Sequence, residues 1–181
     1  MPPVFGSIES WIFDLDNTLY PARVDLFALI DEKMGQYIQR LLDVDSAEAR
    51  RVQKRYFVDH GTTLAGLMAH EGVDPHHFLN FVHDIDMGRL APDPELNAAL
   101  AKLPGRKLIF TNGDADYAGR VLAGLGLADA FDGLFDIHGA RYRPKPHPDA
   151  YEDMCSALDV EPQRALFVED MARNLKPAKA I

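Results

Sequence analysis

The sequence predicts an α/β protein, an open parallel sheet interrupted by an all-helical insert, and three observations lead there. Four short apolar runs, "WIFDLD" (11–16), "KLIFTNGD" (107–114), "GLFDI" (133–137) and "ALFVED" (165–170), each end in polar, chemically capable residues. Each run is too short for a helix and leads into turn chemistry or a helix-like pattern, as a strand buried in a parallel sheet does. Strands and helices alternate along the chain, which argues for an open α/β sheet. Between the first and second runs the texture changes to apolar residues at three- and four-residue spacing, which reads as helices.

In chain order, "WIFDLD" is the first strand, and the helical block follows as "LFALIDEKMGQYIQRLL", "AEARRVQKRYFVDHG", "TLAGLMAHEG" and "DPHHFLNFVHDID". Asp45 or Ser46 suits the N-cap of the second helix, and Asp74 followed by Pro75 fits a cap and first-turn pair. Leu26, Phe27, Ile30, Met34, Tyr37 and Leu41 form the apolar stripe of the first helix, read as core. "LAPDPELNAALAKLPGRK" supplies a Pro-rich return and a helix that leads into the second strand. A crossover this long is unusual unless it folds by itself or covers something. The expected division is residues 1–20 with 100–181 for the sheet domain and 21–99 for the helical insert.

With 181 residues, 47% of them hydrophobic, the chain can bury a substantial core. A formal net charge of -9 disfavours nucleic acid and anionic membranes as partners, because both repel an acidic surface. Cys155 is the only cysteine, which rules out an internal disulfide and fits a reducing compartment; it reads as a small helical apolar residue. "MPPVFGSIES" lacks a basic segment followed by an apolar run, and no stretch is long enough to span a bilayer. The protein therefore reads as soluble and cytoplasmic, with no basis for choosing monomer or dimer.

Ligands of an open parallel sheet bind beyond the carboxyl ends of its strands. That rule gathers Asp14 and Asp16 from the first strand, Thr111, Asn112 and Gly113 from the second, and Glu169 and Asp170 from the fourth. The loop "YRPKPHPDAY" adds Lys145 between two prolines that restrict its backbone. Carboxylates at about 4 Å repel by roughly 4 kcal/mol per pair at an effective dielectric near 20, so a cation is needed among four of them. No Cys and His set has zinc spacing at these ends, and an oxygen-only shell favours Mg²⁺, with Ca²⁺ or Mn²⁺ as competitors. Magnesium shares its shell with phosphate, which points to phosphoryl chemistry. Taken singly, Asp16-Asn17-Thr18 and Thr111-Asn112-Gly113 also read as turns and Lys145 as a solvated loop lysine. Asp14 resists that reading, because an acid inside an apolar strand is costly without partners.

"DLDNT", "FTNG", "RPKP" and "VED", in this order, resemble the four signatures of the haloacid dehalogenase superfamily, specifically its phosphatase branch. "FDLDNTLYP", "GTTLAGL", "VHDID", "LPGRKLIFTNGD" and "RNLKPAKAI" resemble its pyrimidine 5'-nucleotidase group. The resemblance spans nearly the whole chain. It implies a Rossmann-like core with an inserted helical cap, and a Mg²⁺-dependent hydrolysis of a small phosphorylated metabolite, a nucleotide by the finer match. Asp14 would become the nucleophile and take the phosphoryl group; Asp16 would be the general acid, then the base, and would lend its backbone carbonyl to the metal. Thr111, with Asn112, Gly113 and nearby N–H groups, would hold phosphate oxygens, and Lys145 would neutralise charge. Asp170 would ligate Mg²⁺, with Glu169 acting through a water or orienting Lys145. The family's core continues past its fourth motif with a helix and at least one further strand, so one edge of the sheet is expected to be absent from a chain ending at Ile181.

Other readings stay open. A dehalogenase would use the same aspartate on carbon, but that branch lacks the second acid. A phosphomutase would share every motif, as would sugar-phosphate and phosphoglycolate phosphatases. A phospho-accepting regulatory module is disfavoured by the long insert, and a non-catalytic binding protein by the full motif set. "HEGVDPHH" with His60 and His83 looks like a metal cluster, yet position 74, where an HExxH motif from His70 needs histidine, is Asp74. His76 and His77 read as first-turn residues, and His83 and Asp84 as packing and hinge contacts. "ARRVQKRY" reads as a solvated helix face. In "HGTTLAGL", Thr62 or Thr63 suits a helix cap, and residues 61–66 are equally a candidate for substrate selection.

Overall fold

The computed structural model describes residues 7–181, so the first six residues of "MPPVFGSIES" lie outside the described residues. The chain divides into two compact units, one built from the described residues up to Val24 and from Leu90–Ile181, the other from Asp25–Arg89. These limits differ from the 20/21 and 99/100 junctions drawn on the sequence. Residues 90–99 group with the sheet unit because Leu90 packs against Gly124, Asp93 N–H donates to Leu125 O (3.0 Å), and Asn97 Nδ2 donates to Gly126 O (3.2 Å).

The sheet unit contains β1 (Ser10–Phe13), β2 (Arg106–Phe110), β3 (Gly133–Phe135) and β4 (Ala165–Val168), all parallel, in the order β3-β2-β1-β4. β1 is thus flanked on both sides and wholly buried. The observed strands are shorter than the apolar runs by their charged ends: β1 stops at Phe13, and Asp14 and Asp16 follow it. Register places Phe13 beside both Ile109 and Val168, which brings the carboxyl ends of three strands level. Pairing continues one residue further in the backbone, with Asp14 N–H donating to Val168 O (2.9 Å) and Thr111 N–H to Phe135 O (3.0 Å). The residues that follow the strands are therefore held by the ladder itself.

Side chains alternate across the pleat. Ile12, Leu108 and Phe110 face a cluster with Phe135, Tyr151 and Met154. Phe110 meets Phe135 and Tyr151 edge-on at 5.7 and 5.2 Å, the geometry the ring quadrupole favours. On the other face Phe13 meets Phe131 edge-on at 5.8 Å, and Trp11 Nε1 donates to Pro104 O at 2.7 Å. Around the sheet lie α5 (Pro94–Leu100), α6 (Ala115–Gly124), α7 (Pro148–Ala157) and α8 (Ala172–Ala178). Among the described residues β4 forms one edge, and it is half-buried along its length.

The other unit is all helical: α1 (Leu26–Leu42), α2 (Ser46–His60), α3 (Thr63–Glu71) and α4 (Pro75–Val82). Asp45, rather than Ser46, caps α2, accepting from Glu48 N at 2.8 Å, and Asp74 caps α4 through His76 N at 2.9 Å. The stripe of α1 needs correction. Leu26, Ile30, Tyr37 and Ile38 are buried, whereas Phe27 and Leu41 are 44% and 41% exposed. Both lie in the terminal turns of the helix, Phe27 beside the fully buried Leu26, so periodicity overestimates the width of the buried stripe there.

No helix among the described residues is long and apolar enough to cross a membrane.

Candidate active site

The site grows from the level strand ends. β1 delivers Asp14, which is 6% exposed, and the loop after α6 and β3 delivers Lys145, 1% exposed. Lys145 Nζ donates to Asp14 Oδ1 at 2.7 Å, Glu169 Oε2 at 2.9 Å and Phe110 O at 2.8 Å. All three ammonium hydrogens are thus satisfied, which burial of a charge requires. The ammonium also lies over the Phe110 and Phe167 rings, at 5.0 and 5.3 Å. Its backbone is fixed by Asn112, whose side-chain amide accepts from Lys145 N (2.8 Å) and donates to Lys145 O (3.1 Å). The Lys145–Pro146 peptide is cis.

Asp14 is held from both sides, since Thr18 Oγ1 donates to its Oδ2 at 3.0 Å. Burial pushes its pKa up to about 6, with the Lys145 charge opposing and the neighbouring carboxylates of Glu169 and Asp16 adding to the rise. Asp170 is also raised to about 6, by burial, a hydrogen bond with Glu169 and the charge of Asp14. Glu169 is lowered: burial opposes its ionisation, but the charge and hydrogen bond of Lys145 outweigh that. One ammonium therefore does not neutralise the group.

Oxygens of Asp14, Glu169 and Asp170 lie within 4.8 Å of one another. Three hard oxygen donors with excess negative charge fit a divalent cation such as Mg²⁺ better than a soft transition metal. The turn after β1 adds to the fit: Thr18 N–H and Leu19 N–H both donate to Leu15 O (3.3 and 3.0 Å), and no described backbone N–H bonds the carbonyl of Asp16.

Asp16 is half-exposed and is treated differently. Tyr20 OH and Tyr117 OH both donate to its Oδ1, at 2.6 and 2.7 Å, and the two phenol oxygens are 3.5 Å apart. Burial, followed by the charge of Asp16, pushes both phenols well above their ordinary pKa, so they remain donors.

The structure brings Asp14, Lys145, Glu169 and Asp170 together, with Asp16 two residues on. Thr111 is buried at the end of β2, and its Oγ1 accepts from Gly113 N at 2.9 Å, shaping the loop into α6. Asn112 uses its side chain on Lys145. Thr62 and Thr63 lie in the helical unit: Thr62 Oγ1 caps α3 through Ala65 N (3.1 Å), and the buried Thr63 hydroxyl donates to Gln53 O (3.5 Å). Sequence reasoning missed Tyr20 and Tyr117. Tyr20 stands in the quoted "DLDNTLY", and a tyrosine among apolar residues needs a partner for its hydroxyl. Tyr117 lies 101 residues from Asp16 and carried no local signal.

Comparison with known proteins supplies the family. A profile of haloacid dehalogenase-like hydrolases matches residues 9–181. Phosphate metabolism protein 8 of Saccharomyces cerevisiae is 29% identical over 185 residues, covering 93% of this chain and 57% of that protein. The chain thus spans little more than half the length of this relative. The (S)-2-haloacid dehalogenase of Xanthobacter autotrophicus is 30% identical over 183 residues, covering 95% and 71%. In fold, the chain is similar to CbbY from Rhodobacter sphaeroides, solved in complex with phosphate, with a TM-score of 0.65 at 20% identity over 95% of this chain and 82% of that one.

Proposed function

Because this chain belongs to the haloacid dehalogenase-like hydrolases, we propose that it is a Mg²⁺-dependent phosphomonoester hydrolase in which Asp14 is the nucleophile. The observation that carries the reading is Lys145, a buried ammonium shared by Asp14 and Glu169 beside the Asp170 carboxylate. Asp14 attacks phosphorus, a P–O bond forms to its carboxylate, and the ester P–O bond breaks with its electron pair going to the leaving oxygen. Asp16 gives that oxygen a proton. In the second step Asp16 takes a proton from water, whose oxygen attacks phosphorus and releases Asp14. Lys145 keeps Asp14 aimed and offsets charge on the phosphoryl oxygens, with the Thr111 hydroxyl, whose oxygen accepts from Gly113 N, and the Asn112 N–H as further donors. Asp14, Asp170 and the Asp16 carbonyl would hold Mg²⁺, with Glu169 acting through a water, and the ion would supply the positive charge that one lysine does not.

The sheet unit would then be the catalytic core and Asp25–Arg89 its cap. For the substrate we favour a pyrimidine nucleoside 5'-monophosphate, on the strength of "FDLDNTLYP", "GTTLAGL" and "VHDID". Names among the relatives, including validoxylamine A 7'-phosphate phosphatase of Streptomyces hygroscopicus subsp. limoneus, 38% identical over 71 residues, support phosphate-ester chemistry. The Xanthobacter relative motivates a second reading, displacement at carbon, which Asp16 disfavours because that reaction has no leaving oxygen to protonate. A phosphate-release screen over nucleotides and sugar phosphates, with and without Mg²⁺, and a halide-release assay on a 2-haloacid test both. Mg²⁺-dependent phosphate release is expected, greatest from UMP and CMP. Equal rates with purine nucleotides and sugar phosphates overturn the substrate, and halide release without phosphate release overturns the reaction.

A further inference from the structure

Asp16 is bound by two donors on one atom, and that arrangement goes further than its role requires. Tyr20, four residues along the loop, and Tyr117, on α6, both direct their hydroxyls to Oδ1. Both rings are buried, at 2% and 0% exposure. Tyr117 is set by its neighbours: Asp114 Oδ1 accepts from Tyr117 N at 2.7 Å, and a Cβ on Gly113 would stand 3.1 Å from Tyr117 Cδ1, so glycine leaves the ring its place.

We propose that Tyr20 and Tyr117 are positioning residues that decide which oxygen of Asp16 carries the catalytic proton. A carboxylate oxygen has two lone pairs. With both occupied by phenol O–H groups, Oδ1 has no lone pair left for a proton, and the acid form must carry it on Oδ2. The same bonds stop the carboxyl group from rotating and exchanging its oxygens. Oδ2–H then gives its proton to the leaving oxygen as the ester P–O bond breaks, and Oδ2 accepts the proton of the attacking water as the Asp14–phosphorus bond breaks. The inference rests on the reading of Asp16 as general acid and base.

The test compares two monoesters under saturating Mg²⁺. p-Nitrophenyl phosphate expels a stable phenolate that needs little protonation, whereas UMP expels the nucleoside's 5'-alkoxide, which needs it fully. Because positioned proton transfer is worth ~10²–10⁴-fold, Tyr117→Phe and Tyr20→Phe are expected to lower kcat/KM for UMP about tenfold more than for p-nitrophenyl phosphate. Asp16→Asn should show a larger loss of the same selectivity. Melting temperature of the Tyr variants should fall by no more than the few degrees that one lost hydrogen bond costs, and their calorimetric Mg²⁺ affinity should stay at the wild-type value. Equal loss on both esters, or none, overturns the positioning role; if Asp16→Asn lacks the selectivity as well, the acid role of Asp16 itself has failed. Should Tyr117→Phe not fold, Tyr20→Phe decides alone.

Discussion

Asp14 and Asp16 stand two residues apart in one loop, yet the protein surrounds them in opposite ways. Asp14 is buried against a full cation and other acids; Asp16 is half-exposed and meets neutral phenols. A buried carboxylate beside Lys145 remains short of positive charge, which suits the proposed group that would share a metal and attack phosphorus. A carboxylate bound by neutral donors keeps its direction without a cation lowering its basicity, as the proposed acid and base role would require. Spacing brings two acids to one strand end, and their surroundings set them apart, as the proposed roles of nucleophile and general acid would require.

That contrast breaks most severely with Asp14→Asn. Phosphate release should fall to the level of the enzyme-free control while circular dichroism and the melting transition stay native-like; retained turnover would remove Asp14 from the mechanism. Lys145→Met comes next, because it leaves Asp14 and Glu169 buried without their ammonium. Breaking a buried pair costs ~3–5 kcal/mol, read by urea denaturation in EDTA, and activity should be lost with it. A cost near zero would mean that Asp14 and Glu169 take up protons at little expense.

The pH dependence sharpens the comparison further. The pKa of Asp14 and of Asp170 rises to about 6 in the folded chain. A raised acid binds its proton more tightly folded than unfolded. Its contribution is therefore fully present below the unfolded value, ~4, and is lost as pH rises through about 6. In EDTA, lowering the pH from 7 to 5 should raise the stability attributable to these two groups. Asp14→Asn should reduce the slope, and Mg²⁺, which favours the ionised forms, should flatten or reverse it; an unchanged slope in the variant contradicts the assignment. The smallest effect is expected from Thr18→Val, which removes the hydrogen bond to Asp14 Oδ2 at a cost of ~1 kcal/mol in chemical denaturation. Lys145 should still hold the nucleophile, so kcat should fall only a few-fold.

Much of this was legible in the sequence, for identifiable reasons. Short apolar runs ending in acids marked strands that deliver charge to a sheet edge, and three- and four-residue spacing marked the helices of residues 26–82. Asp14, Glu169 and Asp170 could be grouped because parallel strands end on the same side, whereas Lys145, a loop residue, joined them through the resemblance of "RPKP" to a family signature. Phe27 and Leu41 read as core and are exposed, since periodicity tells which face a residue occupies but not how much of that face its neighbours cover. Asn112 read as a candidate phosphate contact, and the structure adds that its side-chain amide fixes the Lys145 peptide, a pairing across 33 residues that no local pattern encodes.

Class of fold, order of strand and helix, and the acids at the strand ends follow from the order of amino acids alone, because periodicity and strand-end chemistry are local properties. Tertiary structure alone decided the strand order that buries β1, the three hydrogen bonds that hold the Lys145 ammonium, and the convergence of Tyr20 and Tyr117 on one oxygen. Those depend on distances between residues far apart in the chain, and only the packed sheet and the helices on it set such distances.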